Sequence, residues 1–137
     1  MDQKIGMPRL AKAYAVLMPL SALSVIVQAI LFGGWYSEVD AGYLDAHQAL
    51  GAASVAVVLV CLVLAHLARF PREALVGHLT DVLAVLWVVQ YMLGQYSEDQ
   101  RWFSFLHIPL AFIIFGLAVV ASGRAHRSIA GNSDSQS

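Results

Sequence analysis

Apolar residues are grouped along the chain into four long stretches that short polar segments separate. The stretches cover about residues 13–34, 47–68, 74–96 and 103–123. A helix needs roughly 20 apolar residues to cross the hydrocarbon core of a bilayer, and each stretch is long enough. The third is the least apolar, because His78 and Asp81 lie near its start. The pattern predicts an all-α integral membrane protein, an up-down bundle of four transmembrane helices.

The composition agrees with a membrane protein. Of the 137 residues, 59% are hydrophobic and 12% are charged, whereas about a quarter of a soluble domain is charged. We expect one transmembrane domain over residues 1–127 and, because residues 128–137 are small and polar, a disordered cytoplasmic tail. The lone Cys61 excludes an internal disulfide and covalent haem attachment through a C-x-x-C-H motif.

Charged residues near the ends of the spans predict the orientation of the chain. Lys and Arg accumulate on the cytoplasmic side of a membrane protein. The cations before span one, between spans two and three and after span four are Lys4, Arg9, Lys12, Arg69, Arg72, Arg124 and Arg127. The two opposite connections are acidic, with Glu38, Asp40, Asp45, Glu98 and Asp99, and hold one cation, Arg101. Both termini are therefore predicted to be cytoplasmic.

The second half of the chain repeats the first, displaced by 60 residues from His47 to His107. The matching pairs include Gly34 with Gly94, Tyr36 with Tyr96, Leu50 with Leu110 and, after a two-residue slip, Gln28 with Gln90. Two hairpins that run in the same direction are related by an axis along the membrane normal. In an up-down bundle the second and fourth helices are diagonal, so the two histidines are expected to face each other at one depth.

His47 and His107 suit the axial ligation of a haem b. Such a haem needs two neutral imidazoles on opposite sides of its iron and no covalent link to the protein. Each histidine lies near the N-terminal end of its helix, where the helix dipole disfavours a charged imidazolium. One turn later, Gly51 and Ala111 leave space for a macrocycle. The pair is therefore a candidate metal site.

Other residues at this depth are candidate contacts of the cofactor. Gln28 and Gln90 could hydrogen-bond a ligating histidine or the oxygen of a bound quinone. Gly33, Gly34 and Gly94 could admit the edge of a macrocycle, and Arg101 is the available cation for haem propionates. Alternatively, the glutamines only join neighbouring helices and the small residues only permit close helix packing.

The polar groups at the inner ends of the spans are more easily explained as structural. His66 and His78 are candidates for a second pair of haem ligands, but they break the repeat and suit solvated interfacial positions. Asp81 is expected to pair with Arg69 or Arg72, the alternative being a proton relay.

Residues 27–112 carry the motifs V-Q-A-I-L-F-G-G, D-A-H-Q-A-L-G, V-Q-Y-M-L-G and L-H-I-P-L-A. This arrangement resembles a group of small, uncharacterised four-helix bacterial membrane proteins with a duplicated Gln/His hairpin. More loosely, a histidine pair on four membrane helices is similar to membrane b-type cytochromes, such as the anchor subunits of succinate dehydrogenase. The first resemblance implies a location in a bacterial inner membrane. The second, looser one implies electron transfer.

The leading hypothesis is a b-type haem protein with bis-histidine ligation near the outer face, which exchanges electrons with a quinone or another redox partner. The alternative is a non-catalytic accessory or assembly subunit of a larger, respiratory-type membrane complex, which suits short loops and the absence of a soluble domain. A homo-oligomer is also compatible with such a chain, and no nucleic-acid partner is expected. A zinc site ranks last, because the pair lacks the further ligands that usually complete one.

Overall fold

The computed structural model describes residues 7–96 and 101–134. Within these residues the chain forms four α-helices, α1 (Pro8–Tyr36), α2 (Gly42–Ala68), α3 (Val76–Gln95) and α4 (Arg101–Asp134), with a short 3-10 turn (Arg72–Ala74) before α3. All four helices are long and apolar enough to cross a membrane, α4 over Phe105–Ser133. The prediction of an all-α chain with four helices that are long and apolar enough to span a membrane is confirmed.

A proline begins α1, and residues with a left-handed backbone follow the ends of α1 and α2. Pro8 occupies the first turn of α1, where the N–H that proline lacks would have no partner within the helix. After α1, Glu38 adopts a left-handed backbone with φ of 57°, and the Asp40 carboxylate accepts a hydrogen bond of 2.6 Å from the Gly42 N–H. Arg69 ends α2 with φ of 54°. The chain therefore reverses direction within a few residues after α1 and again after α2.

The extensive helix contacts join α1 to α2, α2 to α3, α3 to α4, and α4 back to α1. Two contacts fix the direction of the first hairpin: the Met7 N–H donates to Ala68 O over 3.2 Å, and Gln28 contacts His47 at the other end. The second hairpin has the equivalent contact between Gln90 and His107. Within each hairpin the two helices are therefore antiparallel.

The buried core lies in the half of the molecule where α1 and α3 begin. Tyr14 is fully buried there, and its hydroxyl donates to Thr80 Oγ1 over 2.7 Å, since Thr80 itself donates to Val76 O. Cys61 is buried in the same cluster, in agreement with a packing role. The Tyr14 hydrogen bond connects α1 to α3 across the middle of the molecule.

Most apolar side chains face away from the core. In α3, the most buried helix, only 33% of the most apolar part of the helix is buried against the rest of the chain. Large outward side chains include Ile30, Val63 and Val85. Such a surface fits association with the hydrocarbon of a lipid bilayer.

The last helix is longer than the sequence pattern indicates. A disordered tail is expected from residue 128, whereas α4 continues as helix to Asp134. Ile129 packs against Ala11 at the start of α1 and Ala68 at the end of α2. This contact supports the additional turns of α4. The final three residues lie outside the described ones.

Candidate functional site

His47 of α2 and His107 of α4 lie side by side, as the repeat predicts. Their ring centres are 6.3 Å apart and their planes are inclined by 56°. Both residues lie near the N-terminal ends of their helices, five residues after Gly42 and six after Arg101. Two imidazoles from different hairpins thus share one location.

The main chain of the preceding helix holds each imidazole. His47 Nδ1 is 2.9 Å from Gln28 O, and His107 Nδ1 is 3.1 Å from Gln90 O. A carbonyl oxygen only accepts, so Nδ1 carries the proton and donates in both hydrogen bonds. In a neutral ring Nε2 then keeps its lone pair. A donor bond from one ring nitrogen to a main-chain carbonyl is the arrangement that orients metal-ligating histidines.

The two glutamines contribute main-chain oxygens, a role that their side-chain chemistry does not indicate. They precede their histidines by 19 residues in the first hairpin and 17 in the second. This difference is the two-residue slip of the repeat, and it lies within the helices, because Gln28 precedes Gly34 by 6 residues and Gln90 precedes Gly94 by 4. In addition, Gln90 Nε2 donates to His107 O over 3.0 Å.

The glycines of α1 and α3 accommodate side chains of their own hairpins. A Cβ on Gly94 would lie 3.1 Å from His107 Cε1, and a Cβ on Gly34 would lie 2.8 Å from Tyr43 Cδ1. We expected both glycines to admit the edge of a macrocycle, whereas the described structure fills these spaces with an imidazole and a phenol ring. Gly94 thereby belongs to the histidine site, although for a different reason.

A cavity of about 1050 Å³ surrounds the histidine pair. Its lining includes the predicted site residues His47, His107, Gln28, Gln90, Gly51 and Ala111. Aromatic side chains complete much of the wall, namely Phe32, Trp35, Tyr36, Trp87, Tyr91 and Phe112. Small-molecule sites measure roughly 300–1000 Å³, so this cavity is large enough for a cofactor.

The pairing of Arg101 with haem propionates stays a prediction. Arg101 begins α4, but its side chain is not among those that the structure describes. Lys4, Glu98 and Asp99, which contribute to the charge asymmetry, also lie outside the described residues.

His66 and Asp81 form a pair at the other end of α2 and α3. His66 Nε2 is 2.8 Å from Asp81 Oδ1, and the two side chains are 60% and 47% exposed. The expected pairing of Asp81 with Arg69 or Arg72 is wrong, because the last turn of α2 places His66 opposite Asp81 and Arg69 already leaves the helix. The carboxylate therefore engages His66.

The donor set around the cavity limits the metal chemistry that it can support. Over residues 7–96 and 101–134, no group of three or more His, Cys, Asp or Glu side chains could hold a metal ion. His47 and His107 are a pair, and a haem iron has two axial positions, of which a protein fills one or both. The described site therefore holds a pair of imidazoles and no larger cluster of such side chains.

No family model, no curated protein and no solved structure matches this chain. Its function is therefore inferred from the residues around the cavity.

Proposed function

We propose that this protein is a membrane b-type haem protein in which His47 and His107 are the two axial ligands, and that it carries electrons to or from a quinone or another redox partner. The proposal rests on the equivalent main-chain hydrogen bonds that hold the two imidazole rings. Each ring donates its Nδ1–H to a main-chain oxygen, of Gln28 or Gln90, which leaves Nε2 of both rings for iron.

The separation of the two rings supports joint ligation. Two imidazoles that bind one metal from opposite sides, with metal–nitrogen bonds of about 2.0–2.1 Å, have ring centres roughly 6 Å apart. The centres of His47 and His107 are 6.3 Å apart. Ligation would then need adjustment of side chains and no large movement of α2 relative to α4.

The walls of the cavity suit the faces of an apolar macrocycle. Gly51 and Ala111 keep the wall low one turn after each histidine, and the aromatic side chains supply apolar surface. When bound, the haem supplies one-electron redox chemistry, and histidine on both sides of the iron favours electron carriage over oxygen activation. The role of the chain is to orient the two imidazoles and to exclude water from them.

The membrane topology is also part of the proposal. We infer an up-down bundle of two repeated hairpins with both termini in the cytoplasm of a bacterial cell and the histidine site near the outer face of the inner membrane. The cyclic order of helix contacts and the antiparallel hairpins support this arrangement. The distribution of charge agrees with this orientation. The end that contains Asp81 carries the cations Arg9, Lys12, Arg69 and Arg127, and the end that contains His47 carries the acidic residues Glu38, Asp40 and Asp45.

The depth of the site defines which electron transfer is proposed. A haem near one face leaves most of the roughly 30 Å hydrocarbon core uncrossed. This chain would therefore exchange electrons within the outer half of the membrane, and transfer to the inner side would need a second cofactor or a partner protein.

Absorption spectroscopy of the purified protein tests the proposal. The protein is produced with haem supplied, extracted in mild detergent and measured in its reduced and oxidised forms, as wild type, His47→Ala and His107→Ala. His126→Ala serves as the matched control, because His126 is exposed and outside the cavity. We expect a Soret band in wild type and control, and its loss or displacement in both site variants.

A wild-type protein without a Soret band would contradict the haem assignment. If that protein instead co-purified in a defined larger membrane complex, the accessory-subunit alternative would be favoured. A spectrum that neither site variant changes would move the ligands away from His47 and His107.

A further inference from the structure

Two residues that line the cavity carry buried polar atoms without a hydrogen-bond partner in the described part of the chain. These atoms are the indole Nε1 of Trp87 and the side-chain Oε1 of Gln90. Trp87 is 2% exposed and Gln90 is 6% exposed, and both line the cavity. Buried polar atoms in native proteins are normally paired with protein groups or with a bound molecule. Their position indicates a ligand that supplies the missing hydrogen bonds.

The two atoms have complementary hydrogen-bonding character. Trp87 and Gln90 are three residues apart on α3, so their side chains lie on the same face of the helix. The amide of Gln90 is oriented because its Nε2 donates to His107 O, which leaves Oε1 as the unpaired atom. An indole N–H only donates and an amide oxygen only accepts. A hydroxyl group does both, and can satisfy the two atoms at once.

We propose that this part of the cavity binds the hydroxyl of a membrane-soluble hydroquinone. The hydroxyl oxygen accepts from Trp87 Nε1–H, and the hydroxyl hydrogen is donated to Gln90 Oε1. A quinone carbonyl accepts but does not donate, so it pairs with Trp87 and leaves Gln90 Oε1 unpaired. The site therefore prefers the reduced form.

The lining of the cavity includes largely exposed side chains. Tyr36 of α1 and Phe112 of α4 are 76% and 73% exposed. The remainder of the hydroquinone ring meets apolar and aromatic lining, including Val25, Tyr91 and Ile114.

The site belongs to the second hairpin alone. In the register that matches Gln28 with Gln90, the residue equivalent to Trp87 is Val25, which has no hydrogen-bond donor in its side chain. The control for Gln90 lies outside the cavity: His126 is exposed and does not line it. The hydroquinone site deepens the proposed function by naming its redox partner, but hydroquinone binding does not itself require haem.

Nuclear magnetic resonance of the indole groups tests this proposal directly. The protein is labelled with ¹⁵N-tryptophan, kept anaerobic in detergent, and titrated with tetramethylhydroquinone, with its quinone and with its dimethyl ether. The three indole signals are assigned with Trp35→Phe, Trp87→Phe and Trp102→Phe. We expect hydroquinone to move the Trp87 indole proton downfield and to leave the Trp102 signal in place.

Affinities supply the second readout. Because an unpaired buried acceptor is costly, we expect the hydroquinone to bind about tenfold more tightly than the quinone or the dimethyl ether. Gln90→Met should weaken hydroquinone binding about tenfold, whereas His126→Ala should leave it within about twofold. This comparison does not depend on the folding of Trp87→Phe.

Equal affinities for the three compounds, or a Trp87 signal that saturating hydroquinone does not move, would overturn the proposal and favour a bound water at these atoms. The titration is carried out on haem-free and haem-loaded protein. Hydroquinone binding to a chain that never shows a Soret band would refute the haem proposal and support the hydroquinone site. A Soret band with an unmoved Trp87 signal would do the reverse.

Discussion

His107 and Gln90 are joined by two reciprocal hydrogen bonds. His107 Nδ1 donates to Gln90 O over 3.1 Å, and Gln90 Nε2 donates to His107 O over 3.0 Å. The pair links the end of α3 to the start of α4 and fixes both the tautomer of the imidazole and the orientation of the amide. The same two residues thereby serve both proposed binding functions, through Nε2 of the histidine and Oε1 of the glutamine.

Gly94→Ala should disturb the histidine site. The new Cβ would lie 3.1 Å from His107 Cε1, so the imidazole must move or the helices must separate. Overpacking of this kind costs about 1–3 kcal/mol. We expect a lower unfolding temperature in detergent and a weakened Soret band.

Gly33→Ala is the matched control for this substitution, because nothing lies within 4 Å of its added Cβ. The two variants gain the same methyl group on helices that the repeat relates. Equal stability and equal haem content in both would show that Gly94 does not position His107.

Much of the architecture follows from the sequence because it depends on lengths and repetition. The four helices are long apolar stretches, and their existence needs no knowledge of packing. The proximity of His47 and His107 follows from the duplication, since equivalent positions in two parallel hairpins meet across one axis.

The contacts that depend on side-chain direction could not be obtained in this way. Gly94 is a small residue beside a site, and its sequence position does not distinguish space for a ligand from space for His107. Asp81 has basic residues near it in sequence, but the helix faces bring it to His66 instead. The unpaired donor of Trp87 was missed, although a tryptophan in the middle of a span, away from the interface, is a signal that its N–H needs a partner.

Removing either partner of the Tyr14–Thr80 hydrogen bond should lower the free energy of unfolding, but by different amounts. Tyr14→Phe removes a hydroxyl while Thr80 still donates to Val76 O, so we expect a loss of about 0.5–1.5 kcal/mol. Thr80→Val leaves the buried Tyr14 hydroxyl without its partner and should cost about 1–3 kcal/mol. Reversible unfolding in mixed detergent measures both values.

The haem spectrum provides the control for these two variants, because Tyr14 and Thr80 lie outside the cavity lining. It should be unchanged in both. A larger loss in Tyr14→Phe than in Thr80→Val would contradict the direction of the hydrogen bond.

The His66–Asp81 pair should contribute little to stability. Both side chains are about half exposed, and exposed ion pairs are worth about 0–1 kcal/mol. We expect His66→Ala and Asp81→Asn each to change the free energy of unfolding by less than about 1 kcal/mol. A loss of haem in either variant would instead indicate a ligand or proton-transfer role for this end of the molecule.

The haem content per chain is the most direct test of the central claim. It is measured as the pyridine haemochrome of purified protein, relative to the concentration of the chain, in wild type, His66→Ala and the double variant His47→Ala/His107→Ala. The account predicts one haem b per chain in wild type and in His66→Ala, and none in the double variant. Wild-type protein that lacks haem despite its supply, or a double variant that keeps its haem, would contradict the assignment of His47 and His107 as the axial ligands.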